Sequence, residues 1–440
     1  MGQGCPGDEP SPMILTVRNA PPLSSSNAFE LGRRFSVIDS SKLCYIAYMI
    51  VYEFKLKGKE FQFRIVDEII RTAQFVRNMA LRYWVDNRNI KLYDLNKYCA
   101  VLAKQFEWAK KLNSQARQAS AERVAFAIQR FFANCKANKP GKKGYPQFQK
   151  NNRSVEYKTT GWKLAEDRKH ITLTDGFGAG EFKLIGTWDL HFYQTEQIKR
   201  VRVIRRADGY YAQFCIDAER RIESVPVKHN VGIDVGLTDF YTDSDGNKVD
   251  NPRHLRKSEK ALKRHQRRVS KKKKGSINRK KAIKRLARKH LKVSRQRQDF
   301  AVKLARCVVH SNDVVAYEDL RVQNMVKNRR LAKSISDAGW SQFFEWLQYF
   351  GLVFGKIVIA VPPHYTSQEC SQCGKIVKKA LSERTHVCQC GCILDRDENA
   401  AINILAKGLK QYPGALENLN ASGQTNLCLA SESLLSKLTG

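Results

Sequence analysis

The sequence predicts a multidomain α/β protein, and three observations carry that expectation. Helical periodicity dominates an early stretch, β-prone runs with turn signals follow it, and the second half mixes short apolar strand-like runs with helices. At 440 residues, with 42% apolar side chains, the chain can fill two or three cores.

Residues 1–48 carry Pro10, Pro12, Pro21, Pro22 and the Ser24–Ser26 run without an apolar period, and are expected to be a weakly ordered extension. Met49 opens the first strand-like run, MIVYEFKL. Residues 64–84 (Ile65, Ile69, Ala73, Val76, Ala80, Tyr83) and about 102–136 (Leu102, Phe106, Ala109, Val124, Ala127, Ile128, Phe131) have helical spacing and should pack as a bundle. Arg64, Arg71, Arg77 and Arg82 give the first of them a basic face open to nucleic acid. The segment KANKPGKKGYPQF reads as a loop, and Asp208-Gly209 between two β-prone runs marks a hairpin in a small β domain over 138–225. Near 337–350, Trp340, Phe343, Phe344, Leu347 and Phe350 share a helix face suited to core packing, with Asp337 as its expected cap.

The charge is the strongest global signal. Seventy-eight Lys and Arg face 42 Asp and Glu, for a formal charge of +36. Such an excess repels itself unless an anion compensates, and nucleic acid is the usual partner. Residues 253–297 hold 22 Lys and Arg against the single acid Glu259. Like charges at that density destabilise a helix unless an anion screens them. Lys271, Lys272, Lys273, Lys274, Arg279, Lys280, Arg285 and Arg288 are therefore the candidate nucleic-acid contacts. A membrane fits poorly, because Leu43–Tyr52 is too short to span and Lys356 interrupts the next apolar run. The first residues resemble neither a signal peptide nor a myristoylation site, so a reducing cytosol is expected.

Three acids stand where acids should be rare. Asp234 lies within the apolar run VGIDVGL, Glu318 follows VVAY, and Asp397 opens the helix-like DRDENAAINIL. A carboxylate in such a setting is costly unless paired or bound to a cation, and its hard oxygens suit Mg²⁺ or Mn²⁺. Two such ions ~3.5–4 Å apart can activate water and stabilise the leaving oxygen of a phosphodiester. Each acid has a rival: Asp319 beside Glu318, Asp239, Asp243 and Asp245 after Asp234, and Asp395 before Asp397.

Seven of the 12 cysteines are scattered, while five crowd into residues 370–392. Cys370 and Cys373 form CSQCG, and CQCGC follows. Paired cysteines before Gly make turns that aim thiolates at one tetrahedral, structural Zn²⁺. Cys390 precedes Gly391 as Cys373 precedes Gly374, so Cys388 and Cys390 complete the expected set, with Cys392 in reserve. His364 and His386 read as ordinary loop residues.

The succession GIDVGL, AYEDL, TSQECSQCG with CQCG, and DRDENAAINIL, joined by KKGYPQFQ, DAGW and VPPHYTSQ, resembles the TnpB family, over about 49–408. TnpB proteins are encoded by insertion sequences and are relatives of the type V CRISPR effectors. The resemblance implies an RNase H-like (RuvC) nuclease domain with an inserted zinc ribbon, preceded by a β-barrel wedge domain with a helical recognition insert. The boundaries implied are a wedge over 49–225 with its insert at about 63–137, a nuclease domain over 226–410 with the ribbon at about 364–394, and a flexible tail over 411–440. It maps a nuclease triad onto Asp234, Glu318 and Asp397, and zinc ligands onto Cys370, Cys373, Cys388 and Cys390; the short C-x-C second knuckle departs from the commoner spacing. It implies a guide RNA, double-stranded target DNA and cutting of both strands. The basic chain lacks an evident sequence-reading module, which suits recognition by base pairing. The alternative is a non-cutting nucleic-acid-binding regulator of transposition or transcription; a transposase that joins ends itself has no Tyr or Ser recombinase site to support it.

Overall fold

A computed structural model describes residues 49–138, 141–218, 220–222, 224–380 and 382–411. The expected extension 1–48 and almost all of the tail 411–440 lie outside the described residues. The described chain forms two compact units, Met49–Ala218 and the residues from 220 onward.

The first unit opens with β1 (Met49–Lys57) and then three long helices, α1 (Glu60–Asp86), α2 (Leu92–Gln105) and α3 (Ser114–Lys136). Val66, Ile69, Ile70, Ala73, Val76 and Ala80 place the buried stripe of α1 at the helical period that the sequence shows. The Gln62 side chain pins the start of α1, accepting from the Lys59 amide at 2.7 Å and donating to the Ala179 and Glu181 carbonyls. Strands β2 (Ser154–Tyr157), β3 (Trp162–Leu164), β4 (His170–Leu173), β5 (Glu181–Ile185), β6 (Ile198–Arg206) and β7 (Gly209–Asp217) follow. β6 and β7 form the expected hairpin, with Arg206 paired to Gly209. All seven strands join in the antiparallel order β2-β6-β7-β1-β5-β4-β3. Its hydrogen bonding leaves β2 and β3 as edges, so the expected barrel is a half-barrel. Glu156 is buried on β2 among Arg123, Arg200 and Arg202. Burial alone would raise its pKa, but the three guanidiniums outweigh that and hold it far below the usual carboxylate range.

The second unit is built on a mixed sheet of β8 (Asn230–Val235), β9 (Asp239–Asp243), β10 (Lys248–Asp250), β11 (Val314–Glu318) and β12 (Ile357–Val361), in the order β10-β9-β8-β11-β12. β8, β9 and β10 pair antiparallel, whereas β8, β11 and β12 run parallel. Between β10 and β11 lie α4 (His254–Ser270) and α5 (Ile277–His310); α6 (Ala332–Ala338) and α7 (Trp340–Phe354) precede β12, and α8 (Arg396–Gln411) is the last described element. The small hairpin of β13 (Thr385–Val387) and β14 (Ile393–Asp395) leads into α8.

Residue parity divides the sheet faces. Tyr317 stacks on Phe344 of α7 with ring centroids 4.5 Å apart, so its face of β11 belongs to α7. Gly232 and Ala316 have the opposite parity and face α8. A Cβ on Gly232 would lie 2.1 Å from the Ala401 carbonyl oxygen, and one on Gly408 would lie 2.7 Å from Ala316 Cβ. Glycine thus lets α8 settle directly on β8 and β11. The aromatic stripe of α7 is buried, as its spacing implies.

Asp337 corrects one expectation. It is at the end of α6, and its carboxylate accepts from the Leu255 and Arg256 amides at 2.8 and 3.1 Å, capping α4. The α7 N-cap is Gly339, whose φ of +74° also ends α6. Lys356, read as a break in an apolar run, is buried against Asp313. Asp313 also accepts from the Val227 and Lys228 amides, so the pair ties the irregular segment preceding β8 to the starts of β11 and β12.

Candidate metal and nuclease centres

The strand register brings the first two acids together. Ile233 of β8 pairs with Tyr317 of β11, so Asp234 and Glu318 stand one residue beyond them on adjacent parallel strands. Both share the parity of Gly232 and Ala316 and therefore face α8. Asp397 sits in the first turn of α8. Burial first, then repulsion from Glu318 and Asp397, pushes Asp234 well above its ordinary pKa, with Arg396 opposing. Glu318 is also raised by burial, against the Thr366 hydroxyl that donates to its Oε1 at 2.5 Å and the Lys407 charge.

Three of the rival acids, Asp243, Asp245 and Asp395, have partners of their own. Asp319 is exposed on the opposite parity. Asp243 accepts from the Asp245 and Asn247 amides and closes the β9–β10 turn. Asp245 contacts His229 at 3.3 Å. Asp395 accepts from the Asp397 amide at 2.8 Å and from Lys248 at 2.8 Å, capping α8. Burial would raise the Asp395 pKa, but these donors lower it.

Partners that sequence reading missed surround the triad. Arg396 Nη2 lies 3.1 Å from Asp397 Oδ1, and Arg384, just before the ribbon hairpin, reaches Oδ2 at 3.5 Å. Asn399 and Asn403, one turn apart on α8, are buried and lash down the loop before Cys370. Asn403 donates to the Thr366 and Glu369 carbonyls at 2.9 and 2.7 Å; Asn399 donates to Glu369 and accepts from the Ser371 amide. The same loop thus carries the Thr366 that orients Glu318 and leads into the cysteines. The only available signal was the i, i+4 spacing of the two asparagines.

Four of the clustered thiols come together as the sequence implies. Cys370, Cys373, Cys388 and Cys390 place all four sulfurs within 4.8 Å of one another, with Cys370–Cys390 at 3.6 Å and Cys373–Cys388 at 3.5 Å. Four thiolates fit a tetrahedral Zn²⁺. Burial would raise Cys370, but the Cys373 and Gln372 amides aimed at its sulfur lower it overall, whereas Cys390 in the same cluster is raised. His386 departs from its loop reading: it lies on β13, fully buried, with a ring nitrogen within 4.8 Å of the Cys370 and Cys392 sulfurs. Among the described residues these two overlapping groups are the ones whose ligand atoms all fall within that distance. The carboxylate triad is a looser anionic cluster. Burial first and its acidic neighbours second raise Asp234, and a divalent cation would offset both.

The basic segment forms the α4–α5 hairpin, with Leu262, Val269 and Val293 buried. Lys271, Lys272, Lys273 and Lys274 are exposed at its turn, and Lys280, Arg285 and Arg288 are exposed along α5. Arg279 differs, since its Nη1 donates to the Val269 and Lys272 carbonyls and closes the turn. No helix among the described residues is long and apolar enough to cross a membrane.

Residues 213–329 match the OrfB_IS605 family model ("Probable transposase"), and 340–404 match the Cas12f1-like TNB domain. A Streptomyces pristinaespiralis protein named "Putative RNA-guided DNA endonuclease" is 43% identical over 181 residues, which is 41% of this chain and 45% of that protein. Escherichia coli K12 "Putative RNA-guided DNA endonuclease InsQ" is 30% identical over 324 residues, covering 70% of this chain and 77% of the relative. The "TnpB-like protein L770" of Acanthamoeba polyphaga mimivirus is 31% identical over 275 residues, 57% of this chain and 52% of the relative. Among solved structures, the mini-RNA-guided endonuclease CRISPR-Cas_phi3 aligns with a TM-score of 0.51 at 9% identity, covering 88% of this chain and 97% of that one. A Cas12f1–sgRNA–target DNA complex aligns at 0.50 and 13% identity, covering 79% and 83%. These two likenesses concern the fold.

Proposed function

The chain belongs to the TnpB-like, OrfB-type family, and from that premise we propose that it is an RNA-guided DNA endonuclease that hydrolyses phosphodiesters by a divalent-metal mechanism. The observation that carries the reading is the β8–β11 register, which sets Asp234 and Glu318 on one sheet face toward α8, the helix whose first turn holds Asp397. The mixed sheet, with three antiparallel strands extended by two parallel ones, is assigned as an RNase H-like (RuvC) domain. The partners proposed are a guide RNA and double-stranded target DNA, the kinds of molecule named for its relatives and neighbours.

Asp234, Glu318 and Asp397 would hold Mg²⁺ or Mn²⁺, which when bound activate water and stabilise the leaving oxygen. Their own contribution is a set of hard oxygens with fixed directions. Thr366 orients Glu318, the strand register sets the Asp234–Glu318 spacing, and Asp395 holds the helix start that presents Asp397. Arg384 and Arg396 temper the negative charge at Asp397. Cys370, Cys373, Cys388 and Cys390 would hold Zn²⁺, which supplies a structural crosslink. Lys271–Lys274 and the exposed cations of α5 would neutralise phosphates, so binding should weaken steeply with salt.

Plasmid nicking with Mg²⁺ and co-purified RNA tests the proposal. Asp234→Asn should abolish nicking and retain bound RNA. Metal-dependent nicking that survives in that variant would remove Asp234 from the reaction.

A further inference from the structure

Away from the acids and the cysteines, the first unit carries a group of aromatic rings at its surface. Trp84 lies near the end of α1, Phe131 and Phe132 near the end of α3, and Tyr145 in the irregular segment that follows. The Trp84 ring is 6.3 Å from those of Phe132 and Tyr145, and Phe131 meets Tyr145 edge-on at 5.2 Å. Phe132 is 54% exposed and Tyr145 49%. A scattered exposed ring needs no explanation, but contiguous rings do.

The group is pinned in place. Asn134 of α3 donates to the Lys143 carbonyl at 3.0 Å. Asn78 of α1 exchanges two hydrogen bonds with the Gln149 backbone, at 2.8 and 2.9 Å. Tyr145 therefore sits between two anchor points, and its ring is ordered before any partner arrives. The segment that carries three of the rings is basic: residues 129–155 contain seven Lys and Arg and no Asp or Glu, while Asp86, two residues beyond Trp84, is paired with Arg82 at 2.6 Å.

We propose that this face is a stacking platform for unpaired nucleotides of a single strand, an inference that rests on the nucleic-acid reading above. Rings offer π faces to bases, and cations offer charge to phosphates. A duplex hides its base faces within its own stack. A second copy of this chain fits badly, because the interface would set seven cations against seven, and Asp86, beside Trp84, is already paired with Arg82.

Anisotropy of the full-length protein with a short fluorescein-labelled oligo(dT), and with a duplex of equal length, tests the platform without divalent ions. The pair Phe132→Ala and Tyr145→Ala should weaken single-strand binding by about tenfold or more and change duplex binding by less than about twofold. The salt slope should stay unchanged, because rings release no counterions. Lys136→Gln with Lys142→Gln should instead lower the slope by about 0.7 per lost phosphate contact. Phe132→Leu with Tyr145→Leu keeps apolar bulk and the fold; it should lose affinity like the alanine pair. Unchanged single-strand affinity in the alanine pair, or full binding by the leucine pair, overturns the platform. So does a ring-dependent dimer in sedimentation whose loss leaves oligonucleotide binding intact. None of these results depends on cleavage, so a failed platform leaves the Asp234 test standing, and nicking by Asp234→Asn leaves the platform standing.

Discussion

Replacing Lys356 by Met should be among the most damaging single changes in the second unit. The Lys356 and Asp313 side chains are 3% and 0% exposed, and their ion pair sits where β11 and β12 begin. Removing the ammonium leaves Asp313 with the Val227 and Lys228 amides alone, at 3.1 and 2.6 Å. Breaking a buried pair from one side costs about 3–5 kcal/mol, and the two remaining donors place this case toward the lower end. The sign of the pH effect follows from the pair. Burial raises the Asp313 pKa, but Lys356 and the amides outweigh it and leave it lowered. A carboxyl with a depressed folded pKa adds stability above its unfolded pKa of about 3.9, and loses it as pH falls through the folded value. Lys356→Met should therefore destabilise at neutral pH and move the acid limb of unfolding upward. Lys356→Met combined with Asp313→Leu should recover much of the loss, because an apolar replacement leaves no orphaned charge. Urea unfolding across pH 3–7, with hydrogen exchange on the β8 and β11 peptides, measures both. A neutral-pH loss below about 1 kcal/mol with an unmoved acid limb would refute the reasoning.

Other substitutions probe the proposed site and its supports. Thr366→Val removes the donor on Glu318 Oε1 and should raise the Mn²⁺ concentration for half-maximal nicking by about 10–100-fold, with RNA binding unchanged. Cys388→Ser should empty the ribbon of zinc by elemental analysis, whereas Cys392→Ser should leave it loaded if the four-thiol group is the binding set. Gly232→Ala drives a methyl to 2.1 Å from the Ala401 carbonyl, a backbone clash that rotamer change cannot relieve. It should cost about 3 kcal/mol or more and lower the unfolding midpoint of the second unit.

Much of the architecture was legible locally. The period-3.6 stripe of α1, the hairpin at Asp208-Gly209 and the buried aromatic face of α7 follow from repeats within one element. Paired cysteines before glycine announced their cluster because a short loop closes it. Asp234 and Glu318 stood out because they interrupt or end an apolar run, and Asp397 because it opens a helix. Asp337 misled for a physical reason: an Asp before a helix reads as its cap, yet Gly339 takes that place and the carboxylate turns to a helix distant in sequence. His386 misled because the one-residue shortening beside it looks like loop, while pairing of β13 with β14 buries it.

Sequence by itself determined which segments become helices and strands, where carboxylates and thiols lie along them, and that the surface demands a polyanion. These depend on side-chain period, backbone preference and net charge, all properties of neighbours in the chain. Only tertiary structure decided which acids share a face, through the parallel register of β8 with β11 and the glycine contact that seats α8 on both. It alone paired Asp313 with Lys356 and set Asn403 on the Thr366 loop. Such contacts join residues tens of positions apart, and chain closure between them leaves no periodic trace in the sequence.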